Sequence, residues 1–479
     1  MLSRCDHAPS SPRPPLFERY AEAMDDPTNR NELMRWMALA IGALAIAGTF
    51  ALLLAFSRVP DIQDFFPWPL NFFKKGLVVH VVFSFVVFFL CVFAAIAHLA
   101  TVRLSGGAPR FRPLGYLAFR GAVVAFVFLF VPALMNRGQP TLNNYIPVIT
   151  DPLYYMALGV LGAAMALMAI RLLLNIPAPS RTAAHRFDVL NLAAIAAAVF
   201  FLFAVIYVLW AWKNLAGTPI GHPFNEDLFW GGGHILQFVN TALLIGAWYA
   251  LGATALGRAP VCPMVAIAAL AWLMLAVVSS LGFYLAFDMF SGGQIMAFTH
   301  LQYALGPAPA VVALFGLINL LKHRRAGEKL PWRDPGFLCL TLSPLVFAMG
   351  GVFGLFVDGA DTRTPGHYHA IIAGLTLAFI GMFYSVFLPL LGRKPKAGKL
   401  LFATIWCFFV GQSTAAVGLF IAGDYGTARK VAGAAQDLSA LAAKIGMGLN
   451  GAGGLLAVIG GALFVWVVGS SLIRRPERI

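Results

Sequence analysis

The chain has 479 residues, of which 60% are apolar and only 11% charged, with a mean hydropathy of +0.79. An ordinary soluble domain carries roughly a quarter charged residues, so this balance excludes one and indicates an integral membrane protein embedded in a lipid bilayer. The formal charge of +14 is accompanied by no groove-reading motif, which argues against a nucleic-acid partner.

Residues 1–33 are polar with no apolar core ahead of them, and read as a cytoplasmic tail rather than a cleaved signal segment. Residues 34–479 form the polytopic membrane domain. Apolar runs predict spans near 34–56, 77–102, 116–136, 152–175, 187–212, 228–252, 262–287, 296–321, 336–357, 367–391, 400–422 and 446–473. Each matches the ~20 residues a helix needs to cross a hydrocarbon core. Backbone groups in lipid must be satisfied within the segment, which makes the runs helical. The expected fold is all-α: about twelve transmembrane helices in a single bundle with short loops. With the N-terminus inside, most of the Lys and Arg fall on the cytoplasmic side, in loops such as "KHRRAGEKLPWR" and "GRKPKAGK". The same count puts the C-terminus in the cytoplasm. The Gly-rich "GAGGLLAVIGGA" lies inside a span and predicts close helix packing. The five cysteines are scattered without a C-x-x-C pair, against a disulfide framework, a thiolate metal site or a covalently attached haem.

The histidines carry the functional signal. His80, His234 and His300 stand near the starts of the second, sixth and eighth predicted helices, and His367 and His369 open the tenth. All five share one level in the outer half of the bundle. His7, His98, His185, His222 and His323 fall in tails, loops or helix ends and are expected to be solvated. Neutral imidazoles inside hydrocarbon most economically serve as metal ligands, because they leave no buried charge. Residues two apart on a helix point roughly 200° apart. His367 and His369 therefore cannot chelate one metal, but each can serve a different centre on either side of the helix. Two haems flanking one helix fit that spacing.

The order of the helices, "WGGGHILQF" opening the sixth and "GHYHAIIAG" opening the tenth resemble subunit I of the haem-copper oxidase superfamily, which includes cytochrome c oxidases, quinol oxidases and nitric oxide reductases. The resemblance covers nearly the whole chain. It implies a low-spin haem on His80 and His369 and a high-spin haem on His367. For His234 it implies a role at a second metal, copper or non-haem iron. It further implies dioxygen or nitric oxide as ligand, cytochrome c or quinol as electron donor, accessory oxidase subunits, and a bacterial-type inner (plasma) membrane. Outer arginines pair with haem propionates in that family, which makes Arg363 and Arg429, near Asp358, Asp361, Asp424 and Lys430, candidates for that use.

Three departures accompany the resemblance. The family's adjacent His-His pair on helix seven is absent, and "SSLGFYLAFDMF" places Phe283 and Tyr284 there instead. Phe238 stands where many oxidases have a tyrosine, and Val312 where they have a lysine. His300 and Tyr284 are the remaining donors the sequence offers beside His234, and Gln237 and Asn240 offer polar contacts on the same helix. The reading is a terminal-oxidase-type oxidoreductase with catalytic candidates His367, His234 and Tyr284. The alternatives are a nitric oxide reductase type, or a non-pumping haem-binding electron-transfer or sensor homologue without the second metal. A twelve-helix transporter is a rival, opposed by the lack of a repeat between the halves and the scarcity of intramembrane carboxylates. A non-catalytic scaffold subunit is a third reading.

Overall fold

The computed structural model describes residues 15–475 except 58–64, 67, 70, 358, 394, 396–397, 432–435 and 437. Among the described residues, twelve helices are long and apolar enough to cross a membrane. They are Pro27–Phe56, Phe72–Ser105, Arg112–Leu134, Pro152–Leu174, Val189–Asn214, His222–Leu256, Pro263–Ala286, Gly292–Arg325, Pro335–Gly354, Arg363–Leu390, Gly398–Asp424 and Leu441–Ile473. Every predicted span has its counterpart. A short helix, Leu16–Ala23, precedes them.

Three helices start the same way. Asp26, Asp151 and Asp334 each precede a proline, and their carboxylates accept from the backbone N–H of Thr28 (2.8 Å), Leu153 (2.9 Å) and Phe337 (2.7 Å). Proline at the first helical position sacrifices no hydrogen bond, and the Asp satisfies an orphan donor. This cap carries the first span back to Pro27, into the segment read from sequence as tail.

Most consecutive spans pack as neighbours and the twelfth closes the bundle against the first, while the eighth packs on the sixth and seventh rather than on the ninth. The second, sixth and tenth spans form the centre: 72%, 83% and 83% of their most apolar windows are buried, against 50% at most elsewhere. Phe89 and Phe379, 5.4 Å apart, join the second to the tenth. Both of these helices contain a π-helical stretch, Val82–Val87 and Phe383–Phe387, a feature that often accompanies functional sites. The "GAGGLLAVIGGA" helix packs as its composition predicts. Gly446, Gly453 and Gly460 recur every seven residues, and a Cβ on them would meet Gly418 O, Ala415 N and Phe408 N at 2.5–2.6 Å. Backbones approach this closely only where one residue has no side chain.

On one side of the bundle, Arg171 is fully buried and pairs with Glu32, which also faces His98 Nδ1 at 3.3 Å. Gly115 admits this pair: a Cβ there would stand 2.7 Å from both the Arg171 guanidinium carbon and Glu32 Oε1. His98 is 0% exposed and its Nε2 lies 2.9 Å from the Asn29 carbonyl. It is therefore a core residue, not the solvated helix end expected from sequence. The early start of the first span is the reason, since it brings Asn29 and Glu32 over the end of the second. His185 and His222 are exposed as expected, and His7 lies outside the described residues.

Candidate functional site

His80, His367 and His369 are half-buried within two of the three most buried spans. His80 Nδ1 lies 2.9 Å from the carbonyl of Ala47 on the first span, and His367 Nδ1 lies 2.7 Å from that of Gly350 on the ninth. A carbonyl only accepts, so Nδ1 carries the proton and Nε2 keeps its lone pair. A carbonyl partner of this kind fixes the tautomer and ring direction of metal-ligating histidines. Small residues make room for this arrangement. A Cβ at Gly354 would stand 2.8 Å from both Cε1 and Nδ1 of His367, and one at Gly350 would stand 2.7 Å from the Ile371 N. His369 stacks beside Tyr368 at 5.4 Å. The donor chemistry of these three residues fits haem.

His234, on the sixth span, is 1% exposed. Its Nδ1 lies 2.7 Å from the Trp230 carbonyl, which assigns the proton to Nδ1 as before. Its Nε2, however, has a partner: the hydroxyl of Tyr145 at 2.8 Å. That hydroxyl in turn accepts from Gln302 Nε2 at 2.7 Å. Burial, and after it the charge of Glu226, hold the Tyr145 phenol well above its ordinary pKa, so it is protonated at neutral pH. The rings of Tyr145, Trp230 and Phe298 pack around the imidazole with centroids 4.6, 4.9 and 5.5 Å away.

Tyr145 comes from the connection between the third and fourth spans. There β1 (Pro140–Thr141) and β2 (Val148–Ile149) form a short antiparallel hairpin. The hairpin is tied down on the sixth span. Asn144 donates to both carboxylate oxygens of Glu226, from its backbone N (2.8 Å) and its Nδ2 (2.6 Å). Asn225 Nδ2 donates to Thr141 Oγ1 at 3.1 Å. Lys430 reaches the Leu142 carbonyl and Arg429 reaches Asn144 at 3.4 Å, so the loop between the eleventh and twelfth spans leans on the same hairpin. Arg363 is held instead by a fork on Asp361, and Asp358 lies outside the described residues.

The two auxiliary donors expected beside His234 do not join it. Phe298, on the eighth span, faces His234, and His300, two residues further, is turned away by the helical rotation. His300 is exposed and stacks on Tyr303 at 6.4 Å. Tyr284 is half-buried and belongs to an aromatic cluster with Trp210 and Tyr207, both at 4.6 Å. Its hydroxyl covers Gly231, where a Cβ would stand 2.5 Å away, and Phe298 separates it from His234. Among the described residues, no three His, Cys, Asp or Glu side chains gather as a metal site. The donor set around His234 thus does not fit a second metal, for which imidazole sites use three or more ligands. Sequence reasoning missed Tyr145 altogether. It sits in an aperiodic turn, "LNNYIP", and only the consecutive asparagines hint at a built loop.

Comparison with known proteins gives a consistent result. The family model described as Cytochrome C and Quinol oxidase polypeptide I matches residues 33–449. A cytochrome c oxidase subunit 1 of Thermus thermophilus is 25% identical over 93% of this chain and 84% of its own. An uncharacterized protein of Rickettsia prowazekii is 25% identical over 91% of this chain and 95% of its own, and one of Aquifex aeolicus is 28% identical over 80% and 92%. Among solved structures, a heme-copper terminal oxidase dimer superposes with a TM-score of 0.75 at 14% identity, covering 95% of this chain and 85% of that one.

Proposed function

The chain belongs to the cytochrome c and quinol oxidase polypeptide I family, and on that premise we propose that it is a two-haem membrane oxidoreductase of the terminal-oxidase type. His80 and His369 hold a low-spin haem, and His367 holds a high-spin haem. The haems, when bound, supply electron transfer and one open coordination position for a diatomic ligand. The protein's own part is to fix the ligands. Ala47 and Gly350 hold the imidazoles of His80 and His367 by their Nδ1 protons and so keep the Nε2 lone pairs for a metal. The opposed directions of His367 and His369 keep the two centres on separate sides of one buried helix. The observation that carries the reading is the His367–Gly350 contact, because an interior imidazole with its Nδ1 so anchored and its Nε2 lone pair intact is disposed as a ligand.

Dioxygen is the proposed ligand, and nitric oxide is the alternative. Cytochrome c or a quinol is the proposed donor, with accessory oxidase subunits, in a bacterial-type plasma membrane with both termini cytoplasmic. The test is reduced-minus-oxidised and carbon monoxide difference spectra on the purified chain and its variants. His80→Ala or His369→Ala should remove the low-spin bands and keep carbon monoxide binding, and His367→Ala should do the reverse. Purified protein that takes up no haem would refute the reading.

A further inference from the structure

The residues around His234 carry an inference that rests on this functional reading. We infer that Tyr145, His234 and Gln302 form a metal-free hydrogen-bonded lock in the place the family resemblance gives to the second metal, with Tyr145 as the positioning residue that ties up His234 Nε2. A diatomic ligand on a haem held by His367 would then, in the family's arrangement, face one metal and a tyrosine–histidine pair rather than two metals.

Three independent features support the lock. The first is that both imidazole nitrogens are spent, Nδ1 on Trp230 O at 2.7 Å and Nε2 on the Tyr145 hydroxyl at 2.8 Å. A cation at Nε2 would have to expel a buried hydroxyl whose alternative is an unsatisfied polar group. The second is that the neighbours of the ring supply no further ligands: Trp230 and Phe298 are apolar faces, and His300 points outward. The third is that the protein is shaped to put Tyr145 there. Its φ of +64° lies in the left-handed region that non-glycine residues avoid, and such local cost is sustained where surrounding contacts over-determine it. The Asn144–Glu226 fork supplies those contacts one residue away. Gly233, directly before His234, supplies the space, since a Cβ there would stand 2.5 Å from Tyr145 Cβ.

The hydrogen-bond directions are determined throughout. Gln302 N–H donates to the Tyr145 oxygen, Tyr145 O–H donates to His234 Nε2, and His234 Nδ1–H donates to the Trp230 carbonyl. The chain spends no carboxylate and leaves no buried charge, which suits the interior of a membrane protein.

The experiment uses the purified full chain. Its copper and iron are measured against its haem, in the wild type and in His234→Ala. The expected result is iron equal to the haem iron and no stoichiometric copper in either protein; an additional equivalent of copper or iron that disappears in His234→Ala would overturn the inference. The second readout is the infrared stretching band of carbon monoxide bound to the reduced protein. Tyr145→Phe keeps the ring that fills the Gly233 notch and removes only the hydroxyl, so it should fold and shift the band; an unchanged band would overturn the placement of Tyr145 against the ligand. If no haem is retained on His367, the functional reading falls by itself. The metal arm is then read on the haem-free protein with added copper: binding that is lost in His234→Ala overturns the lock, and no binding supports it.

Discussion

The ninth span places three glycines within five residues, and each gives a different expectation for alanine. At Gly354 a Cβ would stand 2.8 Å from both Cε1 and Nδ1 of His367, whereas at Gly351 it would meet nothing within 4 Å. Ordinary carbon contacts lie near 3.5–4.0 Å, so the His367 ring in Gly354→Ala must retreat by on the order of 1 Å. That movement breaks or stretches the 2.7 Å bond to Gly350 O, a loss of about 0.5–1.5 kcal/mol. Tenfold corresponds to about 1.4 kcal/mol, so affinity for the high-spin haem should weaken by roughly two- to twelvefold. Overpacking adds about 1–3 kcal/mol of lost stability, partly offset by the ~1 kcal/mol that alanine gains over glycine in a helix. Gly351→Ala receives only that gain and should be neutral or slightly stabilised. Gly350→Ala meets backbone at Ile371 N and should lower stability most, because a main chain cannot rotate aside. The assay is haem per chain and carbon monoxide binding, alongside thermal unfolding in detergent. Carbon monoxide binding by Gly354→Ala equal to that of Gly351→Ala would refute the placement of His367, and so would a parallel loss of the low-spin bands.

Glu32→Gln leaves the fully buried Arg171 without its counter-charge, and thermal unfolding should register a loss of about 3–5 kcal/mol; replacing both partners by apolar residues should cost less. Gly453→Ala, whose Cβ would stand 2.5 Å from Ala415 N, should separate the last two spans and lower the unfolding temperature, whereas Gly454→Ala, with nothing within 4 Å, should not. Burial, and after it the charge of Arg429, lower the Lys430 ammonium to about 8 against an opposing pull from Glu226. A lysine depressed in the fold is charged in both states below about 8, where its penalty is fully present, and the penalty is relieved as pH rises from about 8 towards the usual lysine range. Stability of the haem-free protein should therefore increase across that window, and Lys430→Gln should flatten the profile.

Much of the architecture was legible in the sequence because it depends on one-dimensional quantities. Apolar run length set the twelve spans, since hydrocarbon thickness fixes how many residues must be dry. The H-x-H spacing placed His367 and His369 on opposed faces through helical rotation alone. The Gly-rich run of the last span predicted close helix packing, and the structure shows its partner to be the eleventh span. Asp-Pro caps begin three helices in the structure, and the first lies in the segment read as tail because a polar turn follows Asp26.

The composition of the candidate site was legible only in part. Depth along the membrane put His80, His234, His300, His367 and His369 at one level, but depth does not fix azimuth. Azimuth is decided by which neighbour a helix packs against, and it turned His300 outward while Phe298 took the inner face. Tyr284 was expected beside His234 from its place in the chain, yet stacking on Trp210 and Tyr207 holds it behind Phe298. His98 was expected in water, and the N-terminal extension of the first span buried it. Tyr145 left no periodic trace, because a loop residue reaches its partner through the fold of its hairpin and the clamp on Glu226. The sequence by itself determined which helices exist and where along them the imidazoles fall, quantities set by hydropathy and helical pitch. Only the tertiary structure decided which side chain meets His234, because that meeting joins residues 89 positions apart through packing that no local pattern encodes.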